Sequence, residues 1–252
     1  MSHELPVRRQ KHACGRHTSE DGPMHWIRPL AALSAFGLLL TAVGCAKQVT
    51  GVARVDATGA PLAVTEDGFG IVAGFDDAPV KIEIYTEPQC THCSDLQHEF
   101  GEQLADSISV GTLQVTYRPL TFLDDDYDGY SAKVANALFL ATEAVDNSAA
   151  TGTQLQRFVE ELWINQDPGG AVFTADELRD MAVSAGLPEA VADHVATDSE
   201  AVDVAEMDDT NFGLLFDIDR VDTGTPTVFD LDAGEKLDIF DDEWLSSLLR
   251  SN

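Results

Sequence analysis

Two periods alternate along this chain. Over residues 80–85 the side chains run Val, Lys, Ile, Glu, Ile, Tyr, a weak apolar–polar alternation of strong β-formers that predicts a strand. At Cys90 the period changes. Cys93, Leu96, Phe100 and Leu104 recur every three or four residues, which is one face of a helix. Residues 113–117 read as a second strand, ended by Arg118 and Pro119. A long helical stretch follows. Residues 130–145 place Val134, Leu138 and Ala141 on one face, and residues 155–164 bring in Phe158, Leu162 and Trp163. Thr174 and Glu177 have capping-box spacing ahead of Leu178, Met181, Ala182 and Ala185, and Gly186 closes that helix. Pro188 opens another helix, and residues 199–216 form a further one. Strand character returns at 227–231 and 236–240, around a turn of Asp232, Ala233, Gly234 and Glu235. Residues 242–249 close as a helix with Trp244, Leu245, Leu248 and Leu249 inward. Upstream, residues 63–75 suit a short hairpin or edge strand, and 74–79 a turn. The predicted order is β-α-β, a helical block, then β-β-α: an α/β fold with no internal repeat.

The N-terminal pattern is of another kind. Residues 30–43 are continuously apolar or small, follow Arg28, and end at Gly44 and Cys45. A basic segment before a short apolar run reads as an export signal. The run falls short of the roughly 20 apolar residues a membrane-spanning helix requires. Thr41-Ala42-Val43-Gly44-Cys45 resembles a bacterial lipobox, with Ala42 where Leu is usual. That resemblance implies that Cys45 becomes a lipidated N-terminus and ties the protein to the cell membrane; without lipidation the protein would be secreted. Residues 1–23 are polar and precede a plausible start at Met24. The expected organisation is a leader at 1–44, a small-residue tether at 45–63, one domain begun at 64–128 and completed at 218–252, and a helical insertion at 129–217.

Charge narrows the choice of partner. The chain holds 44 Asp and Glu against 15 Lys and Arg, for a formal net charge of −29. Loss of the leader deepens the imbalance, since Arg8, Arg9, Lys11, Arg16 and Arg28 go with it. Nucleic acid and anionic headgroups are therefore poor partners. The run Asp124-Asp125-Asp126-Tyr127-Asp128 lacks the spacing and closing Glu of an EF-hand and reads as a solvated loop.

Of the four cysteines, Cys14 leaves with the leader and Cys45 is taken by the lipid. Cys90 and Cys93 remain, three residues apart, where a disulfide can close and reopen. A thiol at a helix N-terminus meets unpaired N–H groups and the positive end of the dipole, both of which favour thiolate. Cys90, the outer residue, is the expected nucleophile. Cys93, one turn inward, is the expected resolving thiol. His92 between them can further stabilise the Cys90 thiolate. A structural zinc site needs four ligands, and no second cysteine pair exists to supply them, so no metal is expected. A domain of this size builds its core without disulfide staples.

Taken together these features resemble the DsbA-like thiol–disulfide oxidoreductases, a thioredoxin fold with a helical domain inserted between its βαβ and ββα halves. Cys90-Thr91-His92-Cys93 follows a strand and opens a helix, and Gly224-Thr225-Pro226-Thr227 precedes the penultimate strand. The resemblance implies a cis bond at Pro226, a backbone role for Thr225 in holding an extended substrate peptide, and no cofactor beyond the Cys90–Cys93 disulfide. It further implies an oxidising tendency associated with His92, exported proteins as substrates, a membrane redox partner, and a monomer. Pro88, Gln89 and Thr91 depart from the residues common in that family. Disulfide reduction, as in cytochrome maturation, and a non-catalytic surface lipoprotein are the alternatives.

Overall fold

Six strands form one mixed sheet in the order β1-β2-β4-β3-β5-β6. The structure is a computed structural model that describes residues 59–124 and 129–251. The expected leader with Cys14, the lipidation at Cys45, the tether up to residue 58, and Asp125 to Asp128 of the acidic run lie outside the described residues. The strands are β1 (Leu62–Val64), β2 (Ile71–Ala73), β3 (Val80–Thr86), β4 (Leu113–Pro119), β5 (Thr227–Asp230) and β6 (Glu235–Lys236). Helix α1 (Thr91–Ser109) carries the chain from β3 to its parallel partner β4, while β5 lies antiparallel on the other side of β3. Helices α2 (Tyr130–Leu140), α3 (Gly152–Ile164), α4 (Ala175–Ser184), α5 (Glu189–Val195) and α6 (Val204–Ile218) fall between β4 and β5, and α7 (Trp244–Ser251) ends the chain. This is a thioredoxin fold with a helical insertion, as expected. The β1–β2 hairpin extends it at one edge.

The weak alternation of β3 has a physical origin. Val80, Ile82 and Ile84 are buried in the main core with Leu96, Leu104 and Phe158. The residues between them support a second, polar face. There Arg118 of β4 pairs with Glu83 at 3.1 Å and Asp67 at 2.7 Å, and Tyr85 donates to Glu83 at 2.7 Å. Asn211 of α6 ties this face down through the carbonyls of Phe69 and Pro119, and Leu215 packs on Tyr85 and Leu120. Both faces of β3 are thus covered, which puts the end of the strand at the centre of the domain.

Several boundaries differ from the sequence expectation, each for a local reason. The helix expected over 130–145 stops at Leu140, where the Thr142 and Glu143 N–H groups turn back to the Phe139 and Leu140 carbonyls, and the chain then turns through Asp146 and Asn147 at positive φ (50° and 64°). The helix expected from residue 199 starts at Val204, where the Asp203 side chain accepts from the Glu206 N–H. The strand expected over 236–240 shrinks to Glu235–Lys236, since the Phe240 N–H turns back to the Asp238 carboxylate. Glu235, expected in the turn, is in β6. Leu62 and Ala63, expected in the tether, are already in β1. Arg118 and Pro119, expected to end β4, pair within it. The Thr174–Glu177 capping box forms as expected, and a second box, not expected from the sequence, forms at Thr151 and Gln154.

Candidate active site

β3 ends at Thr86, and Glu87-Pro88-Gln89 leads directly to Cys90, the N-cap residue of α1. The Cys90 N–H donates to the Glu87 carbonyl at 3.0 Å, while the Cys93 and Ser94 N–H groups donate to the Cys90 carbonyl at 3.1 and 3.2 Å. No side chain caps the N-terminus of α1, so its first-turn N–H groups face the Cys90 sulfur. Both thiols are free; Cys90 is half-buried and Cys93 is 0% exposed. The helix phase explains the difference, because Cys93 starts the inward face that continues through Leu96, Phe100 and Leu104.

The two sulfurs have opposite acidities. Hydrogen bonding from the Cys93 thiol, helped by the backbone N–H groups of Cys93 and His92, brings Cys90 from 9.0 to about 6 against the effect of its burial. Burial, reinforced by the neighbouring Cys90, pushes Cys93 well above the usual thiol range. One outer sulfur is thus a thiolate near neutral pH, and one inner sulfur keeps its proton. In its protonated form Cys90 donates to the Thr225 carbonyl, 3.2 Å away; as the thiolate it accepts from Cys93 instead. The Thr225–Pro226 bond is cis, as the resemblance implied. Folding therefore brings Cys90, Cys93, Thr225 and Pro226 together from the two ends of the domain. The His92 ring is exposed on the first turn of α1 and borders two clefts beside Pro226.

Glu87 was missed at the level of sequence. Its side chain is 0% exposed, and its carboxylate accepts from the Gln89 N–H at 2.6 Å and from the Ser131 hydroxyl. Burial raises its pKa from 4.5 to about 7, with a further push from the charge on Cys90, while the Ser131 and Gln89 donors pull the other way. Around it the helical block grips the loop. Gln89 Nε2 donates to Ser131 Oγ and Asp124, the Gly169 N–H donates to Gln89 Oε1, and Trp163 Nε1 donates to the Glu87 carbonyl. Gln166 Nε2 spans the carbonyls of Pro88 and Cys90, both at 3.2 Å. Asp124, expected in a solvated loop, instead accepts from the Ser131 and Ala132 N–H groups at the start of α2. The available signal was an acid in an otherwise closely packed run between strand and cysteine; the partners lie some 40 to 80 residues away and leave no local pattern.

A thioredoxin family model matches residues 66–211, more than half of the chain. The chain belongs to the thioredoxin family. Its fold is similar to that of MdbA, a thiol–disulfide oxidoreductase from Corynebacterium matruchotii, at 22% identity and a TM-score of 0.58, covering 75% of this chain and 92% of that one. MdbA from Actinomyces oris gives 20% identity and a TM-score of 0.57, over 80% of this chain and 94% of that one. Reduced DsbA from Mycobacterium tuberculosis gives 16% and 0.53, over 73% and 92%. No curated protein matches the chain. The match to the thioredoxin model ends before Thr225 and Pro226. Among the described residues no group of three or more His, Cys, Asp or Glu is placed to hold a metal ion, and no helix is long and apolar enough to cross a membrane.

Proposed function

We propose that this protein is an extracytoplasmic thiol–disulfide oxidoreductase that oxidises exported proteins through the Cys90–Cys93 pair. The observation that carries this reading is the split between an acidic, accessible Cys90 thiol and a buried, protonated Cys93. A substrate thiolate attacks the Cys90 sulfur of the disulfide. The Cys90–Cys93 bond breaks, Cys93 leaves and takes up a proton, and a mixed disulfide joins the substrate to Cys90. A second substrate thiolate then attacks the substrate sulfur of that bond and expels Cys90 as a thiolate. The substrate loses two electrons and the protein gains them. A leaving thiolate of low basicity speeds the second step and stabilises the reduced protein, and both effects favour oxidation of the substrate.

In this reading His92 supports the Cys90 thiolate, and Thr225 and Pro226 receive the substrate backbone beside it. Cys45 carries the lipid that holds the protein at the membrane. The leader covers 1–44, a tether from residue 45 leads to β1 at Leu62, and the insertion at 129–217 divides one thioredoxin domain in two. The protein acts as a monomer, with the disulfide as its sole redox group, and a membrane partner re-oxidises it. Support for the location comes from the N-terminal pattern.

The test is oxidation of a reduced two-cysteine peptide by the full chain. Cys90→Ser is expected to abolish turnover. Cys93→Ser, mixed instead with the disulfide form of the same peptide, is expected to accumulate a mixed disulfide: the Cys90 thiolate attacks the peptide disulfide, expels one peptide thiolate and stays joined to the other sulfur, an adduct visible by mass spectrometry. Turnover retained in Cys90→Ser would reject the assignment, and an equilibrium potential at or below that of thioredoxin would reassign the protein as a reductant.

A further inference from the structure

Two clefts flank the cis-proline, of about 450 and 370 Å³. His92, Pro226, Ile239 and Phe240 border both. Phe240 is the ridge between them and is 82% exposed. An aromatic ring so fully in water, in clefts it shares with the cis-proline, is available as an anchor for an incoming apolar side chain. A hollow of about 670 Å³ around Lys133 and Asn136 shares no residue with these clefts.

Carboxylates dominate the rims of the two clefts. In the larger, Lys236 is already engaged, 3.4 Å from Asp219 and 3.2 Å from Asp222. In the smaller, Asp95 and Glu99 lie one helical turn apart on the same face of α1 as His92, with Asp242 opposite. Asp238 completes the set from the larger cleft. Asp95, Glu99, Asp238 and Asp242 are exposed, and none has a cationic partner among the described residues. Four unneutralised carboxylates around an exposed ring are complementary to a segment that is both basic and apolar. A second copy of this chain, at −29, would be repelled.

Resting on the function proposed above, we propose that the clefts beside Pro226 select cysteine-containing polypeptide segments rich in lysine or arginine, with an apolar side chain seated against Phe240. The charges act at encounter. They raise the rate at which a basic segment arrives and disfavour an acidic one, and the ring then holds it while its thiolate attacks the Cys90 sulfur. Selection thus works through the second-order rate more than through the chemical step.

The experiment uses the oxidised full chain and two reduced peptides identical except that four flanking positions are lysine in one and glutamate in the other. Each peptide carries two cysteines and one phenylalanine. At about 10 mM ionic strength, where the screening length is about 30 Å, the lysine peptide is expected to be oxidised at least about tenfold faster. At about 1 M, where that length is about 3 Å, the ratio should fall toward one. Asp238→Lys with Asp242→Lys should lower the low-salt ratio several-fold, and Phe240→Ser should slow the lysine peptide. Equal rates for the two peptides at low salt would overturn the proposal, as would a ratio unchanged in the double variant. Uncharged dithiothreitol separates the two levels. If it reduces the wild-type disulfide while the peptides do not differ, the charge selection is wrong and the redox reading stands. If it fails to reduce the disulfide, the redox reading falls first.

Discussion

The two walls of the site are built in opposite ways. The cysteine wall, from Thr86 to Cys93, is buried apart from the rim positions Cys90, Thr91 and His92, and it is held by Trp163, Gln166, Ser131 and Gly169 from the helical insertion. The proline wall, from Thr225 through Phe240, includes a two-residue strand, a ring 82% exposed and a rim of acids. The first wall fixes the distance and the electrostatics of two sulfurs. The second leaves backbone and side chains open to a visitor. Reactive geometry needs tight support, whereas recognition of many extended chains calls for an open surface. The insertion therefore braces the cysteine loop from behind, while in the proposed function the second half of the domain is the face open to substrate.

This contrast can be broken by mutation. The largest effect is expected at Trp163, which is 0% exposed and donates to the Glu87 carbonyl. Trp163→Ala should reduce unfolding free energy by about 3–5 kcal/mol in urea titration and should slow peptide oxidation as well. A change below about 1 kcal/mol would mean that the insertion does not brace the loop.

The next effect is a dependence on pH. Glu87 has a folded pKa raised above its unfolded value by burial. Its favourable contribution is therefore fully present below about pH 4.5 and is lost as pH rises through about 7. Glu87→Gln, compared with the reduced wild type, should remove a decline on the order of 3 kcal/mol across that window. Parallel stability–pH curves for the two proteins would show that the carboxyl is not strained by burial.

The smallest effect belongs to the open wall. Phe240→Ser should change stability by no more than about 0.5 kcal/mol. A loss of several kcal/mol in thermal or urea unfolding would show that this ridge is structural and erase the distinction between the walls.

What could be read from sequence follows the same division. The strand–cysteine–helix unit was legible because its signals are local: alternation in β3, a change of period at Cys90, and an inward face through Cys93. Thr225 and Pro226 could be placed only through resemblance, since no spacing rule links them to Cys90 across 135 positions. Glu87, Trp163 and Gln166 were not legible as site residues. Their significance lies in hydrogen bonds between distant segments, and a polar residue in a loop has the same local pattern whether it is buried or exposed. The shortened strand after Glu235 and the late start of α6 were missed because aspartate side chains, at Asp238 and Asp203, redirect the backbone where apolar pattern alone would extend the element.

The outer strands of the sheet bear on the proposed function. β1 spans three residues and β6 two. Under the proposed function the protein would meet unpaired chains whose main-chain amides and carbonyls seek a neighbour. A long flat border would recruit them into stacked aggregates. With borders this brief the sheet offers little edge to add to, and under the function proposed above a client could be released once its sulfurs are joined.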